Sequence, residues 1–327
     1  MNSIDWLYAN AGPIIRWRLV QDFQLPVAKK EKETLLQEVV SHPDVQNWLQ
    51  LLGSRYVHGS KNTNAENPLA KLYEFGLRKG YAPLDDKCYP YIENLTKTSY
   101  DWIPPEVPFL IALGYTDEPI IRDIFITHLH KLEKTAQQSD FHFQMPQEET
   151  KALPKTWRDK KVYKKEHGCP NTLLPLPSIY DLIALSTWPM DEPTQKPIET
   201  VLQFICDPRF QDIFDGYMWD SKLKRCYSAG RVYLAVFIPQ RKIMFLERIA
   251  KFKAAQNSLW FQEALQELET YRNGSGRYEF PTSFLVEKES YYTYSGAHMG
   301  LGENRRQGTW REIESTFRME NIKRQLL

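Results

Sequence analysis

The chain has 327 residues, 42% hydrophobic and 13% aromatic, which is enough to form one large core or two smaller ones. Its 42 Lys and Arg residues nearly balance 41 Asp and Glu residues, so the net charge of +1 argues against a nucleic-acid partner. The sequence has no apolar run long enough to span a membrane and no signal-peptide pattern, so we expect a cytoplasmic protein without a transmembrane segment.

Helical periodicity starts near the N-terminus. Residues 13–23 begin with a proline and repeat their apolar positions on one face, which predicts a helix. The amphipathic runs 32–43 and 43–53 predict two further helices that pair as a hairpin. The polar segment 54–67 predicts a surface loop, which leads into a helix over 68–77.

An internal repeat is the most informative pattern. Residues 108–132 and 180–205 both contain LIAL, a short turn, the sequence DEP and an apolar helix. Each copy predicts a helical hairpin, in which the Asp caps the second helix and the Pro stands early in it. Weaker copies at 69–95 and 231–252 extend the series, and such units bury their apolar faces only by packing on each other. We therefore predict an all-α fold.

The remaining residues include a segment that does not follow the hairpin pattern. Residues 139–175 are polar, basic and rich in proline, which predicts an insertion or a crossing segment within a single domain spanning 1–327. A helix over 258–271, a short extended piece at 278–281, and a last helix with Ile313, Phe317 and Ile322 on one stripe complete the predicted elements.

The hairpins, the acidic proline turns and the segment 272–278 resemble the bacterial prenyltransferase and squalene-oxidase repeat proteins. Those proteins belong with the terpenoid cyclase and protein prenyltransferase superfamily. The resemblance covers most of the chain outside 139–175, and it implies an α/α toroid whose inner helices line a central cavity. Residues 83–86 read Pro-Leu-Asp-Asp, so the first Asp of the D-x-D-D motif of class II cyclases is absent.

Asp85 and Asp86 are candidate catalytic residues. In an apolar cavity, one of two neighbouring carboxyl groups acquires a raised pKa and becomes able to protonate an alkene. The alternative is that both aspartates cap the helix that runs into Cys88.

Two further segments carry candidate ligand-binding groups. The segment 287–306 is the densest mixture of Tyr, Gly, His, Glu and Arg, although a loop that seals the ring would have the same composition. The segment 215–227 suits a cavity rim, with an ordinary loop as the alternative. The predicted ligand-binding residues are Tyr217, Trp219, Tyr291, Tyr292, Tyr294, Glu303 and Arg305, and the further catalytic candidates are Asp220 and His298.

The sequence predicts neither a metal nor a cofactor. The cysteines Cys88, Cys169, Cys206 and Cys226 lie far apart and form no CxxC pair, and the HGCP sequence at His167 and Cys169 lacks a second pair of ligands. We expect reduced thiols.

The leading functional hypothesis is a toroid whose aromatic-lined cavity binds a hydrophobic or isoprenoid-like small molecule. The alternatives are a noncatalytic module that binds a protein and a glycan-active, lyase-like toroid that uses Tyr, His and Arg. The sequence leaves catalysis and oligomeric state open.

Overall fold

The fold is given by a computed structural model, which describes residues 2–97, 102–138, 141–167, 173–212, 216–220, 222–228, 232, 234 and 239–326. The described chain is predominantly helical with one two-stranded sheet, which confirms the predicted all-α class. No helix among these residues is both long and apolar enough to cross a membrane.

The α-helices are α1 (Ser3–Asn10), α2 (Pro13–Asp22), α3 (Lys29–Val40), α4 (Pro43–Leu51), α5 (Glu66–Glu74), α6 (Ala82–Leu95), α7 (Val107–Ala112), α8 (Pro119–Gln137), α9 (Gln147–Thr150), α10 (Ile179–Thr187), α11 (Glu192–Cys206), α12 (Pro208–Gln211), α13 (Pro239–Ile249), α14 (Lys253–Gln256), α15 (Leu259–Glu269) and α16 (Trp310–Lys323). The antiparallel strands are β1 (Tyr217–Asp220) and β2 (Arg225–Ser228).

The chain divides into two compact units. Unit 1 comprises Met1–Tyr91, Ala112–Tyr115 and Val236–Leu327, and unit 2 comprises Ile92–Ile111 and Thr116–Ala235. The single domain predicted for 1–327 remains a prediction.

Unit 1 contains the helices at both ends of the chain. α1 packs against α16, α2 against α3, α4 against α5, and α13 against α16. The predicted helix over 68–77 is corrected to α5 (Glu66–Glu74), because the chain turns at Gly76 with a φ of +82° that favours glycine. The predicted stripe on α16 is confirmed, since Ile313, Phe317 and Ile322 are all buried.

Unit 2 contains most of the clear repeat. The second helices of the two copies, α8 and α11, both begin near a proline and pack against each other. Asp191 caps α11 as predicted, because its carboxylate accepts a hydrogen bond from the Thr194 N–H at 3.2 Å. In the first copy the cap position is occupied by Glu118, whose side chain makes no capping hydrogen bond.

The region from 141 to 228 contains features that the sequence did not reveal. β1 and β2 form a hairpin in which Tyr217 pairs with Ser228 and Asp220 with Arg225. Part of the predicted insertion packs beside it, because Met145, Leu153 and Val162 form a small buried cluster against which Tyr217 and Trp219 lie. Residues 139, 140 and 168–172, including Cys169, lie outside the described residues.

We predict that Asp191→Ala lowers the free energy of unfolding by about 1 kcal/mol, because the substitution removes the cap of α11. Asp191→Asn is the matched control, since Asn caps helices as well as Asp does. Urea unfolding followed by circular dichroism measures both variants. Equal losses in the two variants would contradict the capping role.

Candidate functional site

Two segments that are distant in sequence meet in unit 1. The Thr293 N–H donates a hydrogen bond to the Asn67 side-chain oxygen at 2.9 Å, and the Ser290 N–H donates to the Asn62 side-chain oxygen at 3.0 Å. The His58 ring stacks on the Tyr292 ring with the centroids 5.5 Å apart. The loop before α5 therefore lies against the 287–306 segment that we predicted as a site.

Glu287 is the centre of the polar contacts in that segment. Its carboxylate accepts hydrogen bonds from the Lys71 ammonium at 3.3 Å and from the Gly300 N–H, and it lies 3.3 Å from His298 Nδ1. Burial alone would raise the pKa of Glu287, but the Lys71 charge and the hydrogen bonds from His298 and Gly300 lower it to about 2.

Lys71 and His298, which both contact the Glu287 carboxylate, are buried. Lys71, 2% exposed, also donates hydrogen bonds to the backbone carbonyls of His298, at 2.9 Å, and Gly300. The His298 ring packs edge-on against Trp48, and its second nitrogen, Nε2, lies 3.2 Å from the Tyr291 carbonyl oxygen. Both ring nitrogens of His298 thus face acceptors, which holds the ring in place.

Three of the predicted tyrosines, Tyr291, Tyr292 and Tyr294, form a row of contacting rings in unit 1. The rings of Tyr292 and Tyr294 lie 4.8 Å apart, and Tyr291 contacts Tyr292 edge-on. Tyr291 is 41% exposed, with the Lys288 ammonium 4.2 Å from its ring centroid.

Glu303 and Arg305 lie at the other end of the 287–306 segment. Glu303 accepts a hydrogen bond from the Gly12 N–H at 2.7 Å, at the start of α2. Burial, together with the nearby charge of Glu314, raises the pKa of Glu303 to about 7 against the lowering effect of that hydrogen bond. Arg305 lies between Glu287 at 4.0 Å and the fully buried Glu314 at 3.8 Å. Six of the predicted residues therefore lie in the 287–306 segment, and of these His298 and Arg305 lie beside Glu287, whereas Glu303 contacts Gly12.

Asp85 and Asp86 face different surroundings. The Asp85 carboxylate accepts hydrogen bonds from the Gly80 N–H at 3.0 Å and from the Tyr115 hydroxyl at 2.5 Å, whereas the Asp86 side chain is exposed. Burial raises the pKa of the neighbouring Cys88 thiol to about 12 and also raises the pKa of Tyr115. These contacts favour the alternative that Asp85 caps the start of α6 over the hypothesis that Asp85 and Asp86 form a catalytic pair of carboxyl groups.

Asp220, Tyr217 and Trp219 lie together on β1 in unit 2. Asp220 is buried, and its carboxylate accepts hydrogen bonds at 2.9 Å from the N–H groups of Lys222 and Leu223, which orders the hairpin turn. Within this hairpin, burial raises the pKa of the Cys226 thiol to about 11. Among the residues that the structure describes, no group of His, Cys, Asp and Glu has a metal-binding arrangement.

A buried arginine cluster in unit 1 was missed by the sequence reasoning. It consists of Arg18, Arg78, Arg248 and Arg318 together with the carboxylates of Asp22, Glu74 and Glu247. Arg318 lies 2.6 Å from Glu247, and Arg248 lies 3.3 Å from Glu74. The sequence feature that could have revealed this cluster is an arginine within an apolar helical run, as at Arg18 and Arg318.

The arginine cluster has more positive than negative groups, four guanidinium groups against three carboxyl groups. Burial, with the nearby charge of Glu74, raises the pKa of Glu247, and the charge of Arg318 opposes that rise. Two buried nitrogens, Arg248 Nη1 and Arg318 Nε, have no hydrogen-bond partner among the described residues. An unsatisfied buried donor costs roughly 1–3 kcal/mol, so an added hydrogen-bond acceptor at either nitrogen would be stabilising.

No protein-family model, curated protein or solved structure matches this chain.

We predict that Lys71→Met lowers the free energy of unfolding by about 3 kcal/mol, because it leaves the Glu287 carboxylate and two buried carbonyl groups without their cation. Lys32→Met, at an exposed position on α3, is the control and should change stability by less than about 0.5 kcal/mol. Chemical denaturation measures both. A loss below about 1 kcal/mol for Lys71→Met would show that the buried ammonium is dispensable.

We predict that stability falls as the pH rises from 4.5 to about 7, because folded Glu303 retains its proton up to about pH 7 while the unfolded residue releases it near 4.5. Glu303→Gln should flatten this fall, whereas substitution of the exposed Glu289 by Gln should not. Urea unfolding at a series of pH values measures the slope. The same slope in wild type and Glu303→Gln would refute the assignment.

Proposed function

We propose that the protein binds a small molecule that combines an anionic group with an apolar body, and that the arginine cluster of unit 1 holds the anionic group. The supporting observation is the pair of buried guanidinium nitrogens, Arg248 Nη1 and Arg318 Nε, that lack partners among the described residues. Guanidinium groups bind phosphate and carboxylate oxygens in preference to other acceptors, because their planar donors match the geometry of these anions.

Aromatic rings beside the arginines support an apolar body for the ligand. The Arg18 guanidinium lies 5.1 Å from the Phe317 ring centroid, and the Arg78 and Arg248 groups lie 4.3 and 4.9 Å from that of Tyr73. An isoprenoid-like diphosphate belongs to this chemical class, in keeping with the family that the sequence resembles.

We propose an α/α toroid as the architecture that presents this cluster. The succession of helical hairpins and the packing of α1, near the start of the described chain, against α16, near its end, support a closed array of helices. The charged residues of the cluster come from α2, α5, α13 and α16 and from the turn after α5, so we assign these four helices to the inner layer.

The alternative is a module that holds a protein or peptide. It is supported by the exposed rings of Tyr56 and Tyr291, at 61% and 41% exposure.

We predict that diphosphate and geranyl diphosphate bind with measurable heat in isothermal titration calorimetry, and that geraniol, which lacks the anion, binds more weakly. Arg248→Gln should weaken binding of the diphosphates about 10- to 100-fold, because it removes a charge-assisted contact worth roughly 1.5–3 kcal/mol.

Arg306→Gln is the matched control, since Arg306 is exposed and lies outside the arginine cluster. It should leave the affinity within about twofold of wild type. Equal losses in the two variants would indicate nonspecific attraction of the anions to the surface and would contradict the proposed site.

A further inference from the structure

Unit 1 has an open groove of about 430 Å³ between α1, α2 and α3. This volume falls within the range of roughly 300–1,000 Å³ that is usual for small-molecule sites. Four charged side chains line the groove, Arg16 from α2 and Lys30, Glu31 and Glu38 from α3, together with Tyr8 from α1. Because two cations are matched by two carboxylates, the groove favours a ligand that carries one charge of each sign.

The helix α3 sets the spacing of the charges. Glu31 and Glu38 are seven residues apart, which is two helical turns, so they lie on one face of α3 and about 10 Å apart along its axis. Leu35 lies between them and is 3% exposed, so the groove has an apolar floor. A ligand that reaches both ends therefore needs an apolar middle.

Arg16 is the better of the two cations for binding a carboxylate. Its Nη2 donates a hydrogen bond to the Glu38 carboxylate at 2.8 Å, and its side chain is 31% exposed. This bond uses one of the five N–H donors of the guanidinium group. The planar guanidinium matches the geometry of a second carboxylate, whereas the ammonium of the exposed Lys30 is a flexible point charge.

Glu31 is the better of the two carboxylates for binding an ammonium group. It accepts a hydrogen bond from the Tyr8 hydroxyl at 2.7 Å, which fills one of about four acceptor positions of a carboxylate. Glu31 is exposed, so an ammonium group of a ligand has access to it. The charge of Glu38, in contrast, is already balanced by Arg16.

The connection between α2 and α3 has a strained backbone. Gln24 has a φ of +54°, in the left-handed region that residues other than glycine rarely adopt. Such strain persists where the surrounding structure fixes it, and it occurs preferentially at ligand-binding sites. A strained turn between two walls of the groove is therefore consistent with a ligand there.

We propose that this groove binds a short peptide of about three residues, with its free amino group at Glu31, its free carboxylate at Arg16 and an apolar middle side chain over Leu35. An extended chain advances about 3.3–3.6 Å per residue, so a tripeptide spans the roughly 10 Å between the two ends. The two charges of a single amino acid lie too close together to reach both partners. The groove and the arginine cluster are formed by different residues, so Glu31→Gln should leave diphosphate binding unchanged.

The test is isothermal titration calorimetry, at two temperatures, of the full-length protein with the tripeptide Ala-Leu-Ala, its N-acetyl form and its C-terminal amide. We expect each capped form to bind at least about tenfold more weakly than the free peptide, because each loses a charge-assisted contact. Free leucine should also bind at least about tenfold more weakly, since it reaches only one of the two partners. No binding of Ala-Leu-Ala, or equal affinities for the free and capped peptides, would overturn the proposal.

Two variants assign the ends of the peptide. Glu31→Gln should bind the free and N-acetyl peptides equally while amidation still weakens binding, and Arg16→Gln should show the reverse. Glu33→Gln, at an exposed position on the same helix, is the matched control and should remain sensitive to both caps. The comparison is made within each variant, so a general loss of stability would not produce this pattern. Continued sensitivity of Glu31→Gln to acetylation, or of Arg16→Gln to amidation, would overturn the proposed contacts.

Discussion

Every charged side chain inside unit 1 must find a partner there, because an unpaired buried charge costs several kcal/mol. Glu74 meets this requirement by pairing with Arg248 and lying 3.9 Å from Arg318, and the Lys71 ammonium meets it by pairing with Glu287 and two carbonyl oxygens. These contacts join α5 to α13 and α16, and they anchor the 287–306 segment to α5. By the same requirement, Arg248 Nη1 and Arg318 Nε, which lack a hydrogen-bond partner among the described residues, are positions where an added acceptor would be stabilising.

Local patterns were enough to predict many of the helices. A proline at the first position and an apolar face located α2 and α8, because both signals lie within the helix itself. The β1–β2 hairpin was missed, since each strand has only four residues and its pairing depends on the turn before Arg225. The start of α5 was misplaced because Glu66 and Asn67 are held by loop residues such as Gly59, a contact that no sequence pattern displays.

The candidate site was predictable only where its residues are neighbours in sequence. His298, Glu303 and Arg305 stood out because they share one glycine-rich segment. Lys71, which pairs with Glu287 in that segment, comes from more than two hundred residues earlier, so its role became visible only when α5 met the segment. The arginine cluster is harder still to predict, because its arginines come from three separate helices and a turn, and burial of Arg318 on α16 follows from packing on all sides of that helix.

We propose that Arg248 Nη1 and Arg318 Nε, which have no partner in the part of the chain that the structure describes, bind an anion. The most direct measurement is NMR of the arginine side chains during titration with diphosphate at constant ionic strength. We expect the Arg318 Nε–H and Arg248 Nη–H signals to shift in a saturable manner while the exposed Arg306 signal stays in place. Unchanged Arg248 and Arg318 signals, or shifts that are the same for all three arginines, would contradict the claim.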